Sequence, residues 1–163
     1  MWDIRPREGV GPLTFGMDPA AVAAAIGPAE KRNPEWNGTV NDVRPIGQPV
    51  CSYRDDRLIG VGFSARVPGV TLAGAELFAL PPAEAIRTLI ARNGGEARFG
   101  FDVFVFDTLA MTATDFYRAA DRRFVEPIVG EQDDRGITVH DRPDPDWDRD
   151  SFPPFDTGEG GGG

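Results

Sequence analysis

A chain of 163 residues, 40% of them hydrophobic and including eleven Phe and three Trp, can bury one ordinary core, and that composition excludes intrinsic disorder. Seventeen Lys and Arg against twenty-six Asp and Glu give a net charge of −9. A field of that sign repels phosphates and anionic lipid heads, so it argues against nucleic-acid and membrane roles and favours encounter with a basic partner.

In chain order, the opening Met1-Trp2-Asp3-Ile4-Arg5-Pro6 has no basic region leading into an apolar run, and no stretch approaches about 20 apolar residues. The expectation is a cytoplasmic protein. The first clear element is a helix over 19–26. Asp18 supplies an N-cap, Pro19 suits the first helical position, and Gly27-Pro28 stops the run, with Gly27 in the left-handed conformation. Residues 29–48 read as a long polar connection rich in Pro and Gly.

Strands follow at Pro49–Tyr53 and, after a turn at Asp55-Asp56, at Leu58–Val67, where Ile59, Val61 and Phe63 alternate. Cys51, the only cysteine, falls in the first of these, where it reads as a small core residue with no disulfide to make. A second helix is announced by Pro81-Pro82-Ala83-Glu84 and ended by Asn93-Gly94-Gly95, with Ile86, Leu89 and Ile90 at helical spacing. Phe99 to Phe106 then reads as one strand, turning at Asp107-Thr108 into Leu109–Thr114. Arg123–Val129 and Gly136–His140 complete the strands.

The two helix entries align at an offset of 63 residues, pairing Phe15 with Phe78, Met17 with Leu80, Pro19 with Pro82 and Ala20 with Ala83. The expected fold is therefore α+β: a mostly antiparallel β-sheet with two short helices on one face, built from a tandem helix-plus-hairpin repeat. Residues 1–156 are expected to form one domain with halves at about 9–67 and 70–140, and 157–163 to be a disordered Gly-rich tail.

Phe15-Gly16-Met17, followed by Val22 and Gly27, resembles the helix entry of secreted beta-lactamase inhibitory proteins and of small outer-membrane assembly lipoproteins. Together, Gly9-Val10-Gly11-Pro12-Leu13 and Gly74-Ala75-Glu76-Leu77-Phe78 resemble small bacterial immunity-type proteins. That resemblance implies direct binding and neutralisation of a cognate toxin. One cysteine makes no cysteine pair of the kind the secreted inhibitors carry, and no leader with a lipidated cysteine of the lipoprotein kind is expected from the opening residues. The immunity reading is the best of the three expectations.

Candidate chemistry is sparse. His140 is the only histidine, and its neighbour Asp141 points to the other face of a strand, so the pair makes a poor dyad. Asp144, Asp146, Asp148 and Asp150 alternate, but a calcium loop begun at Asp144 would place Arg149 and Phe155 where Gly and Glu are needed. There is no phosphate-binding glycine loop and no nucleophile elbow. No cofactor or metal is expected and no catalytic set is assigned.

A partner would meet the acidic and aromatic C-terminal region: Glu131, Asp133, Asp134, Asp144, Asp146, Trp147, Asp148 and Asp150. Its charges would steer the encounter and Trp147 would anchor it, covering the basic site of a nuclease or nucleotide-processing toxin. The competing reading has Trp147, Phe152 and Phe155 strapping the tail to the core while the Asp residues face water. Glu35, Trp36, Asn37 and Asp42 form a second candidate surface. A structural or regulatory module and a carboxylate-based enzyme are the alternative functions.

Overall fold

The computed structural model describes residues 1–126 and 133–156. Its elements are β1 Trp2–Arg5, β2 Gly9–Val10, β3 Leu13–Thr14, α1 Pro19–Ile26, β4 Lys31–Pro34, β5 Thr39–Val43, β6 Val50–Arg54, β7 Arg57–Ser64, β8 Val70–Leu72, β9 Ala75–Glu76, α2 Pro82–Arg92, β10 Arg98–Gly100, β11 Val103–Phe106, β12 Met111–Thr114, β13 Tyr117–Arg118, β14 Arg123–Phe124 and β15 Gly136–His140. An eight-stranded sheet, ordered β10-β11-β12-β15-β7-β6-β5-β4, is antiparallel throughout. A five-stranded sheet, β3-β2-β1-β8-β9, carries one parallel pair, β1 with β8. The fold is α+β, mostly antiparallel, with two helices.

Both helices form where their caps place them. Asp18 Oδ1 accepts from the Ala21 amide at 2.7 Å at the start of α1, and Pro19 occupies its first turn. Gly27 ends α1 at φ 92° and ψ 164°, a conformation open to glycine but different from the left-handed helical one the sequence suggests. Helix α2 ends at Asn93, whose side chain donates to Glu96 O at 2.7 Å and accepts from the Leu109 amide at 3.0 Å. That residue ties the helix end to the loop before β12.

Residues opposite one another across antiparallel strands share a face. One row of the large sheet runs Phe106–Met111–Val139–Val61–Cys51–Asp42, and a second runs Phe104–Ala113–Ile137–Phe63. All ten are buried, and the nine apolar ones join Val22 of α1, Ala85, Ile86 and Leu89 of α2 and Ile4 and Leu72 of the small sheet in one core cluster.

Three expectations change. Residues 29–48 are not one polar connection but contain the β4–β5 hairpin at the edge of the sheet. Its strands read Lys-Arg-Asn-Pro and Thr-Val-Asn-Asp-Val, and an edge strand that buries little shows no apolar alternation. Phe99–Phe106 is not one strand but the β10–β11 hairpin. Its two-residue turn is Phe101-Asp102, with φ 54° and 60°, and Phe101 is 81% exposed. Two positive φ values make the turn whose twist matches paired strands, but the usual Asn-Gly signal is absent. Asp55-Asp56 forms the same kind of turn, as expected. Only Arg123–Phe124 of the expected 123–129 strand is paired, to Tyr117–Arg118, and 127–129 lie outside the described residues.

The C-terminal segment straps the sheet edge. Arg98, 7% exposed, donates from Nε and Nη2 to the two oxygens of Asp107 at 2.8 and 2.7 Å. The same guanidinium donates to the carbonyls of Trp147 at 2.8 Å and Phe152 at 3.2 Å. Phe155 then enters an aromatic cluster with Phe99, Phe104, Tyr117 and Phe124. Arg98→Met should therefore destabilise the fold by about 2–3 kcal/mol and speed tryptic cleavage at Arg149 ahead of global unfolding. A digestion rate at that bond equal to wild type would show that the strap is held by other contacts.

Candidate functional site

Of the expected partner-binding residues, Glu131 lies outside the described residues. Asp144, Asp146, Asp148 and Asp150 are all exposed on the strap. The strap is locally fixed, because Asp144 Oδ1 accepts from the Asp146 amide at 2.8 Å and Asp148 Oδ1 from the Ser151 amide at 2.7 Å. The hydrogen bonds from Ser151 hold the Asp148 carboxyl below the usual carboxylate range. Trp147 is half-buried, with its ring edge-on to His140 at 5.0 Å, and Phe152 packs edge-on to Phe101 at 6.0 Å. The aromatics strap and the carboxylates face water.

Asp133 and Asp134 precede β15, whereas His140 ends it, so they stand at the opposite end of that strand from the start of the strap. Asp133 is committed to Arg135, whose Nη2 approaches Oδ2 at 2.7 Å and whose Nε lies 3.0 Å from Oδ1. Those hydrogen bonds lower the Asp133 pKa. Asp134 is exposed and joins a group that the sequence reading did not assemble. Burial, and then the charges of Asp102 and Asp134, raise the Asp115 carboxyl above its ordinary value. Asp102 belongs to the β10–β11 turn that projects Phe101. The result is an exposed aromatic next to Asp102, one of two carboxylates whose charges act on Asp115, and packed on Phe152 of the strap that carries Asp148 and Asp150. The turn at Phe101-Asp102 creates this arrangement, and reading the segment as a continuous strand hides it.

The second candidate surface divides. Trp36 is 93% exposed at the tip of the β4–β5 hairpin, while Glu35 accepts from Asn41 and Asn37 from Thr39. Asp42 is not available to a partner. It is 3% exposed on the core face and accepts from Arg32 Nε at 2.9 Å. Next to it along the sheet lie Cys51 and Tyr53, both buried, with Arg44 donating to Gly27 O at 3.2 Å. Burial pushes the Cys51 thiol up to about 11, against the pull of the Arg44 charge. Burial also raises the Tyr53 hydroxyl, with the negative charges of Cys51 and Asp42 adding to it. A protonated thiol with no exposure is a poor nucleophile.

His140 is the last residue of β15, and its amide donates to Ala110 O at 2.8 Å. Burial lowers its pKa, opposed by Asp144 and Asp141, so the ring is neutral near pH 7. Among the described residues, no group of three or more His, Cys, Asp or Glu is placed to hold a metal ion, and no helix is long and apolar enough to cross a membrane.

No family model matches the chain, and no curated protein matches it. Among solved structures it is similar to a cysteine-rich secretory protein from Staphylococcus aureus, at 15% identity and a TM-score of 0.46. The match covers 85% of this chain and 48% of that one, so the chain spans about half the length of that protein.

The buried Cys51 makes a measurable prediction. A thiol whose folded value of about 11 exceeds its unfolded 9.0 stays protonated in the folded state while the unfolded chain ionises. Its contribution is complete below pH 9 and is lost as pH rises towards 11. Wild-type stability should fall across that window by about 2–3 kcal/mol from this group. Cys51→Ala should flatten that part of a urea-denaturation series. Equal pH slopes in the two proteins would remove Cys51 as the cause.

Proposed function

We propose that this chain is an immunity-type protein, a non-catalytic binder that neutralises a basic toxin domain by direct contact in the cytoplasm. The observation carrying this reading is Phe101. It is 81% exposed, held at φ 54° in the β10–β11 turn, next to Asp102, whose charge acts with that of Asp134 on Asp115, and against Phe152 of the acidic strap. A bulky side chain in a left-handed backbone conformation, left in water, costs stability, and so does a carboxyl such as Asp115 that burial and two neighbouring negative charges raise. Such costs gather at functional sites. An aromatic anchor inside an acidic rim suits a basic partner, with the charges accelerating encounter and the ring filling a pocket.

The chain also reads as a tandem repeat, with both helices covering one face of the large sheet. Support comes from the aligned entries, Pro19 and Pro82 each in the first turn of its helix. The sheet order supports it too: β4–β7 and then β10–β12 with β15 form two groups of four that meet at β7 and β15.

The experiment is stoichiometric capture of a basic partner at low and high salt. Growth is then measured with that partner expressed alone and with this chain. Rescue of a toxic partner is expected. Phe101→Gly should weaken the complex at least about tenfold while leaving the free protein as stable as wild type or more so, since glycine accepts the turn's φ without strain. Asp115→Asn should slow association at low salt and stabilise the free protein, because burial and the charges of Asp102 and Asp134 disfavour its ionised form. A captured partner that is harmless when expressed alone would instead make the chain a regulatory or structural module.

A further inference from the structure

We propose that the outer edge of β10 is a peptide-binding groove, which the chain's own residues 152–155 fill in cis and which takes in trans an extended segment carrying two prolines followed by a phenylalanine. β10 is an outermost strand of the large sheet, with β11 as its neighbour on one side. On its other side the Phe99 amide donates to Pro153 O at 2.9 Å and the Phe155 amide donates to Ala97 O at 2.8 Å, so that Pro154 stands opposite Arg98 in antiparallel sense. That is strand addition, a mode by which sheet edges bind extended peptides. The Phe155 ring enters the aromatic cluster, with its centre 4.7 Å from that of Phe104 and 5.2 Å from that of Tyr117.

Each residue of β10 has the chemistry such a segment needs. Arg98 donates to the backbone carbonyls of Trp147 and Phe152, so it serves any segment that presents carbonyls there. Phe99 supplies both an amide and a ring. At Gly100 a Cβ would collide with Ser151 O, so glycine is what lets a second backbone approach the edge. The occupant is matched in turn. Pro153 contributes its carbonyl, and an N–H at position 154 would face away from β10, so proline forfeits no bond there. Prolines also hold the segment extended before it docks, which lowers the cost of ordering it. Burial favours exchange. Phe152 and Phe155 are half-buried and Pro153 and Pro154 exposed, whereas Val61, Phe63, Ile137 and Val139 of the β7–β15 pair are all buried. A chain segment with no sealed side chain opens at far less cost than global unfolding. Opening uncovers the cluster rings and the unpaired edge of β10, which a second segment of the same chemistry can occupy. The proposal does not rest on the immunity reading.

The test measures binding of a fluorescent synthetic peptide of residues 150–156 to the full chain by anisotropy. In the wild type the tethered segment competes at an effective concentration on the order of millimolar, so binding should be weak, and Phe155→Ala in the protein should tighten it at least about tenfold by freeing the groove. Phe155→Ala in the peptide should instead weaken binding at least about tenfold. Adding Gly100→Ala to the Phe155→Ala protein should abolish it. Hydrogen exchange in the wild type is the second readout and decides if Phe155→Ala does not fold. There the Phe155 amide should exchange at least about a hundredfold faster than the paired amides of β7 and β15. Absence of saturable binding to a folded Phe155→Ala protein, binding that Gly100→Ala leaves unchanged, or a Phe155 amide no faster than those of β7 overturns the proposal.

Discussion

The pairing of β7 with β15 is the constraint on which the large sheet depends. Five positions are in register, from Gly136 opposite Ser64 to His140 opposite Gly60, and these two strands are the junction between β4–β7 and the remaining four. Both core rows pass through the junction, so a register slip of one residue would turn Val61, Phe63, Ile137 and Val139 to the other face. Three glycines sit in it. At Gly136 a Cβ would lie 2.9 Å from Thr114 Oγ1, so that hydroxyl would have to turn aside, whereas at Gly60 and Gly62 it would meet only ordinary contacts. The three glycines leave this face of the junction shallow. The same junction fixes where the loops emerge. Asp133, Asp134 and the Phe101 turn leave at one end of the sheet, and His140, with the start of the strap, leaves at the other.

How much of this was legible follows from which signals were local. Helix α1 could be placed to the residue because Asp18, Pro19 and Gly27 act within one turn of chain. The strand expected at Leu109–Thr114 forms over Met111–Thr114, and Gly136–His140 forms as expected, both from β-branched and apolar runs. The β4–β5 hairpin was not, because an edge pair of polar strands draws its order from β6 and buries little of its own. The Phe101-Asp102 turn was hidden for the opposite reason. Phenylalanine is a strong strand former, and the φ of 54° is imposed by the two strands it joins. Composition announced a charged surface, but not that Asp42 would be taken up by Arg32 on the neighbouring strand, or Asp133 by Arg135 two residues along the chain.

The buried charges complete the electrostatic account. The buried charged residues among those described are Arg44, Arg98, Arg135 and Asp42, three cations and one anion in a chain of net charge −9. Arginine suits these positions because its five donors can serve several backbone carbonyls at once, as Arg98 does for Trp147 and Phe152. Carboxylates can only accept, and the loop carbonyls at these crossings also only accept. The acids are therefore displaced to the surface, and the exposed remainder of the chain is more negative than its net charge states. That asymmetry means the features that hold the strap in place also concentrate negative potential on it. Arg98 fixes the segment from beneath while Asp144, Asp146, Asp148 and Asp150 stand outward. A partner approaching the strap meets an ordered acidic surface whose entropy of ordering has already been lost on folding.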